Sequence, residues 1–441
     1  TTRYRESWSI EFARDANFPF LAAWLKTLGD TFRMVGATDE EKRIALQSDI
    51  ANYDNSRKVY EGGALRLRLA QVAQQREAEE AKLTTWIAAD PARQSKYGWV
   101  LPELKALSTE TNATQNRDVI LRRFPDPNSM VVFPQIVSAV SNTKNLSDTE
   151  RAELQKKVDA AYKTREPLAE LELLTFYLKS FDDLPANQKF KPAEDLFGTL
   201  KGKARRDAEA KFADTIVNGE YASPAKVAGL YGPRTMEYLK EREDILSFAR
   251  GVVAERQALG ARSAKFAANI DRLRVGYMHA LNEMRGTPVV YPDANFTMRF
   301  SYGNVKGYSP REAEFRTPFT TIKGIIEKNT GINPFDAPQK LIDLQNAKDF
   351  GRYGDNDSVV VNFLSTTDII GGNSGSPILN GNGEQVGLCF DGNFEGLGND
   401  FYFDPATNRT ISVDIRYVLF VTEKFGGAKW VVDEMKVVGR K

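Results

Sequence analysis

Across residues 11–285, apolar positions recur at helical intervals in a background rich in Ala, Glu, Lys, Arg, Gln and Leu. This spacing predicts a long succession of helices. Leu65, Leu69 and Val72 fall on one face of such a helix, as do Leu154, Val158 and Tyr162. Thr38-Asp39-Glu40-Glu41 and Ser147-Asp148-Thr149-Glu150 carry the capping-box spacing, in which a hydroxyl and a carboxylate satisfy orphaned backbone donors reciprocally. Breaks are expected at Asp90-Pro91, Phe124-Pro125, Leu184-Pro185 and Tyr231-Gly232-Pro233. Charges alternate in sign along residues 75–82, as on a solvated helix face.

Near Gly286 the period changes from helical to alternating. Residues 295–300 alternate apolar with polar, and further strands are expected at 317–322, in the runs beginning at Val359 and Val386, and at 411–415. Short strands separated by Gly, Asn and Asp turns suggest an antiparallel barrel or sandwich. One helix is expected to interrupt it near residues 338–348 and another to close the chain at 415–425.

Bulk composition narrows the function classes. A chain of 441 residues suggests two or three domains. Sixty Lys and Arg against 59 Asp and Glu leave a net charge of +1, so electrostatics gives no reason to expect nucleic acid or an anionic membrane as partner. No apolar run approaches the ~20 residues of a membrane helix. The single cysteine, Cys389, excludes an internal disulfide framework and is expected to be a small buried hydrophobe. With one Cys and one His there is no zinc ligand set, and no metal or organic cofactor is expected.

The segment carrying candidate chemistry is Gly371-Gly372-Asn373-Ser374-Gly375-Ser376-Pro377, set between two apolar strands. Glycines around a serine let the backbone take φ > 0 and aim N–H groups at the oxygen of a carbonyl under attack. Ser374 is the candidate nucleophile, and the N–H groups of Gly372 and Ser374 are the candidate oxyanion donors. A serine hydroxyl needs a base, usually a histidine oriented by a carboxylate. The only histidine, His279, lies in a helical pattern and is read as a packing or capping residue. The chain also begins Thr1-Thr2-Arg3-Tyr4 without methionine or signal features, so a portion of a longer protein is expected, with the base elsewhere.

Taken together, Tyr291-Pro292-Asp293-Ala294-Asn295, the Ser374 motif, Phe390-Asp391-Gly392-Asn393 and Asn408-Arg409-Thr410-Ile411-Ser412 resemble the C-terminal portion of the bacterial dipeptidyl-peptidase 7/11 family, closest to the dipeptidyl-peptidase 7 type. The resemblance implies an α+β fold, with a large all-α helical domain followed by a trypsin-like antiparallel β-barrel, the second barrel of a double-barrel serine peptidase. Residues 1–10 would end the N-terminal barrel, 11–285 form the helical domain covering the cleft, and 286–441 form the C-terminal barrel. Ser374 matches the family nucleophile, while the catalytic His and Asp lie upstream of Thr1, so this chain alone is expected to be inactive. Asp391 matches the carboxylate that binds the substrate's free α-amine, and Asn52, with Asn55 as the alternative, matches a helical-domain asparagine that assists it. Gly392 matches the position that sets the first specificity pocket, where Arg goes with Asp/Glu substrates and Gly with apolar or bulky ones. Asp368, six residues before Ser374, is assigned a structural role.

The resulting expectation is an exopeptidase releasing N-terminal dipeptides, periplasmic or secreted. Its partners would be free-amine peptides, the N-terminal barrel and a second copy in a homodimer. A glutamyl-type serine endopeptidase and a non-catalytic peptide-binding module are the competing readings.

Overall fold

A computed structural model describes residues 5–37, 39–142, 146–231, 243–286, 298, 300–332 and 335–439. The chain divides into a helical unit, Glu6–Val289, and a sheet unit, Thr1–Arg5 with Val290–Lys441.

The helical unit is built around aromatic residues that the helical period turns inward. Phe124 packs against Phe133, Tyr177 and Phe181 with ring centroids 5.4, 5.0 and 5.3 Å apart, and all four side chains are fully buried. The 43-residue helix Glu243–Arg285 contributes Ile245, Leu246, Phe248, Ala249 and Val252 to the same core. Val158 is buried there, with Leu154 and Tyr162 packed around it. Ser147 caps the helix Asp148–Lys163 through the expected reciprocal bonds with Glu150. At the other candidate box the cap is Asp39, which accepts from the N–H groups of Glu41 and Lys42; Thr38 lies outside the described residues.

The stripe of Leu65, Leu69 and Val72 does not form one face. The helix Glu40–Leu69 ends there, Gln71 adopts φ +49° and a new helix begins at Val72, which is buried while Leu65 and Leu69 are exposed. The left-handed residue redirects the axis, so helical spacing across it no longer means a shared side.

In the sheet unit, β1 (Tyr308–Arg311) and β2 (Glu314–Arg316) form a hairpin. Strands β3 (Phe319–Thr321), β4 (Val360–Ser365), β5 (Pro377–Leu379), β6 (Gln385–Gly392) and β7 (Thr410–Asp414) form one antiparallel sheet in the order β3-β4-β7-β6-β5. The expected strand at 295–300 lies largely outside the described residues, and Met298 and Phe300 are not in a strand.

A closed barrel was expected, but among the described residues this sheet is open. No ladder joins the edge strands β3 and β5, each of only three residues. Closure requires every strand to be paired on both sides, and edges this short offer few bonds for it. The helix Gln339–Asn346 and the helical run Ile415–Phe420 and Val421–Phe425 occupy the expected places, but the run does not close the chain, because a further helix, Lys429–Asp433, follows it. Leu341, Leu419 and Phe420 bury against Ile322, Phe350, Tyr353, Val359 and Val432.

Candidate active site

The corner bearing Ser374 is shaped first by loop 366–370, which leaves β4. The Thr367 hydroxyl donates to Thr410 Oγ1 at 2.9 Å, and the Thr410 hydroxyl donates back to the Thr367 carbonyl at 2.7 Å. Asn399 Nδ2 donates to the Ile369 carbonyl at 3.1 Å. Asp368 donates its backbone N–H to the Ser301 hydroxyl at 3.0 Å and is half-buried.

The turn then closes on itself. Asn373 N–H donates to the Ile370 carbonyl at 3.3 Å, and Ile370 N–H donates to Asn373 Oδ1 at 3.1 Å. Within this ring Gly372 takes φ +95°, and beyond it Gly375 takes φ +81°. Both lie in the region that L side chains rarely enter.

Two bonds fasten the corner to β6: Gly375 N–H to the Cys389 carbonyl at 2.7 Å, and Cys389 N–H to the Ser376 carbonyl at 2.8 Å. Ser374 is exposed, and among the described residues its hydroxyl has no hydrogen-bond partner. The N–H groups of Gly372 and Ser374 likewise meet no acceptor among the described residues. Sheet pairing therefore engages the amide after the serine and leaves the two candidate oxyanion donors available.

Fastening at Cys389 brings the end of β6 beside the serine. The pairing with β7 slips here: Cys389 faces Ser412 and Asp391 faces Ile411, so Phe390 is an extra, bulged residue. Both Phe390 and Asp391 are exposed, as expected where a bulge re-aims side chains. Asp391 Oδ1 accepts the Gly392 N–H at 2.7 Å, and no cation pairs with this carboxylate among the described residues. Burial pushes the Cys389 thiol pKa up, with the nearby Asp391 charge acting in the same direction. Cys389 is the buried hydrophobe expected of it. A Cβ placed on Gly392 would meet no atom within 4 Å, so the strand ends in open space.

The sheet unit thus brings together Ser374, Gly372, Asp391 and Gly392. Asn52 and Asn55 belong to the helical unit, both exposed on the helix Glu40–Leu69. His279 is also in that unit, exposed within the helix Glu243–Arg285 rather than packing or capping. Among the described residues no cluster of His, Cys, Asp and Glu could hold a metal ion, and no helix is long and apolar enough to cross a membrane.

Sequence reasoning missed the support beneath this site. Asn393, buried directly after Gly392, exchanges hydrogen bonds with the Arg409 backbone at 3.0 and 2.8 Å, and its Nδ2 reaches Glu395 and the Thr407 carbonyl, both at 2.8 Å. The buried Arg409 guanidinium donates to the carbonyls of Lys306, Gly307, Pro405, Ala406 and Asn408 at 2.7–3.2 Å. The available signal was polar residues flanking apolar strands, which sequence alone does not distinguish from surface turns.

Fold and corner define an α+β protein whose sheet unit carries, on adjoining backbone, an exposed hydroxyl, an exposed carboxylate and two amides that meet no acceptor among the described residues. The chain belongs to the peptidase S46 family, which matches residues 1–437. It is similar to dipeptidyl-peptidase 7 of Phocaeicola vulgatus, at 32% identity over 419 residues, covering 93% of this chain and 57% of that protein. Over 173 residues, 39% of this chain and 24% of the relative, it is 47% identical to an Asp/Glu-specific dipeptidyl-peptidase of Flavobacterium psychrophilum. The crystal structure of Porphyromonas endodontalis DPP11 in complex with the dipeptide Arg-Asp matches with a TM-score of 0.77 at 25% identity, over 98% of this chain and 62% of that one. The chain spans 53–62% of the dipeptidyl-peptidase 7 relatives it resembles along nearly its whole length.

Proposed function

We propose that the full-length protein carrying this chain is a serine-type dipeptidyl-peptidase that releases dipeptides from free N-termini. The observation that carries the reading is the corner itself: an exposed Ser374 whose own amide and that of Gly372 meet no acceptor among the described residues, in a turn hydrogen-bonded through Gly375 and Ser376 to the strand that ends in Asp391-Gly392. In this reading Ser374 Oγ attacks the scissile carbonyl, and the Gly372 and Ser374 N–H groups hold the developing oxyanion. On the family resemblance, the proton passes to a histidine of the longer protein, and His279 is given no role in the reaction. The open sheet is, on this proposal, the nucleophile-bearing part of a trypsin-like catalytic unit, and the isolated chain is inactive.

Asp391 is assigned to the substrate α-ammonium; Asn52 is offered for the same role on the family resemblance alone. An exposed carboxylate without a paired cation is suited to a charge-assisted bond with an amine. Gly392 supports a first pocket for apolar or bulky side chains, since it supplies room and no charge. A periplasmic or secreted location belongs to the same proposal.

The test compares a free-amine dipeptidyl reporter with its N-acetylated form, using full-length protein and its Ser374→Ala variant. Cleavage confined to the free amine and abolished in the variant is expected. Equal rates on both reporters would assign an endopeptidase, and activity retained without the Ser374 hydroxyl would remove the serine from the mechanism.

A further inference from the structure

We propose that Asn373 is a positioning residue, whose side chain holds the oxyanion donors at the nucleophile corner; this rests on the assignment of Ser374 as nucleophile. Gly371 and Gly372 form the flexible part of the corner, and glycine loses more conformational freedom on ordering than any other residue. Neither packs against anything that would hold it: a Cβ on either would meet no atom within 4 Å. What closes this pair is the reciprocal bonding of Ile370 and Asn373, in which Asn373 N–H donates to the Ile370 carbonyl at 3.3 Å and Ile370 N–H donates to Asn373 Oδ1 at 3.1 Å.

A third bond runs forward, from Ser376 N–H to the Asn373 carbonyl at 3.1 Å, so Asn373 bonds on both sides of the serine. Among the described residues, the amides left out of this web are those of Gly371, Gly372 and Ser374, the last two immediately before and after Asn373. An acceptor at Oδ1 therefore fixes the peptide plane that presents the Gly372 N–H. A side chain without it leaves the glycine pair held by one backbone bond alone. Because φ at Gly372 is +95°, a modest loosening turns that N–H away from a common focus with the Ser374 N–H.

The inference is tested in the full-length protein with Asn373→Ala and Asn373→Ser, the latter keeping a shorter acceptor. Expected for Asn373→Ala is a fall in kcat of about 10- to 100-fold, since misplacing a group by about 1 Å can cost that much. KM should stay within about threefold and the melting temperature near that of the parent, with Asn373→Ser recovering part of the rate. A parental kcat in folded Asn373→Ala overturns the proposal. A variant that no longer folds also overturns it, by assigning Asn373 to the fold instead. Ser374→Ala, run in parallel, separates the two readings: if it abolishes turnover while Asn373→Ala does not impair it, only the positioning role fails.

Discussion

A methyl group at residue 372 would collide with nothing, since a Cβ built on Gly372 meets no atom within 4 Å. The obstacle is conformational. At φ +95° an L residue is strained by about 1–3 kcal/mol, and this is an exposed turn rather than a packed one. Gly372→Ala should therefore relieve the strain by rotating its peptide, leaving the rest of the sheet in place. Rotation removes the Gly372 N–H from the oxyanion position. Loss of one such donor typically lowers kcat about 10²- to 10³-fold, or about 3–4 kcal/mol of transition-state stabilisation. Gly371→Ala is the control, because its Cβ also meets open space and its φ is not in the left-handed region; it carries no conformational penalty. The assay is steady-state cleavage of a free-amine dipeptidyl reporter by the full-length protein, with thermal melting measured on the same samples. A Gly372→Ala enzyme that keeps the parental kcat would refute the reasoning, because the donor could then be turned away without consequence.

Three further outcomes follow from the same geometry. Asp391→Asn should raise KM for free-amine substrates about tenfold or more, the scale of a lost charge-assisted hydrogen bond, with little effect on any residual cleavage of N-acetylated reporters. Gly392→Arg places a cation in open space at the end of β6, so the ratio of kcat/KM for acidic over apolar residues before the scissile bond should rise about tenfold or more; an unchanged ratio would remove Gly392 from the specificity pocket. In the helical unit, burial raises the Glu80 pKa above its usual value despite hydrogen bonds from the Ser7 N–H and hydroxyl at 2.9 and 2.7 Å. The folded state thus holds this proton more tightly than the unfolded chain, so the stability contribution is full below the unfolded pKa near 4.5 and is lost as pH rises through the folded value. Glu80→Gln should flatten that slope in melting experiments between pH 4 and 7 without lowering stability at pH 7, and a steeper slope would contradict the sign.

The helical region was legible because its signals are local. Period, proline breaks and the Ser147–Glu150 box each depend on a few neighbouring residues, and the helix Asp148–Lys163 is capped as its sequence specifies. The stripe of Leu65, Leu69 and Val72 failed because a single residue, Gln71, enters the left-handed region, and nothing in its side chain requires that. Strands β4, β6 and β7 were visible as apolar runs, but whether they close into a barrel depends on edge pairing, which no strand's own sequence records. Short β5 and the β1–β2 hairpin escaped notice, whereas the equally short β3 was expected because Thr317-Pro318-Phe319-Thr320-Thr321-Ile322 carries β-branched and aromatic residues. The turn bearing Ser374 was readable from its glycines, whereas the Phe390 bulge that turns Asp391 outward depends on register with β7.

A corner rich in glycine and open to solvent ought to be mobile, yet catalysis on a carbonyl demands fixed donors; the buried side of the sheet suggests how both hold. Arg409 has five N–H donors, and all five are engaged by carbonyls from two chain segments, 306–307 and 405–408. No carboxylate ion-pairs with its guanidinium among the described residues, and burial lowers its pKa, so the cation is held by peptide dipoles. From this anchor one route runs through Asn393 to the Asp391-Gly392 end of β6. The other runs through Thr410, adjacent in sequence, to Thr367 in the loop that leads to Ser374. Residues proposed to bind the substrate amine and to attack its carbonyl therefore share one polar foundation, which sets their spacing independently of the flexible turn above. Because an unsatisfied buried carbonyl is costly, replacing Arg409 would release the buried carbonyls of Gly307 and Asn408 together with the more accessible ones of Lys306, Pro405 and Ala406, and the brace should be lost as a unit rather than weakened bond by bond.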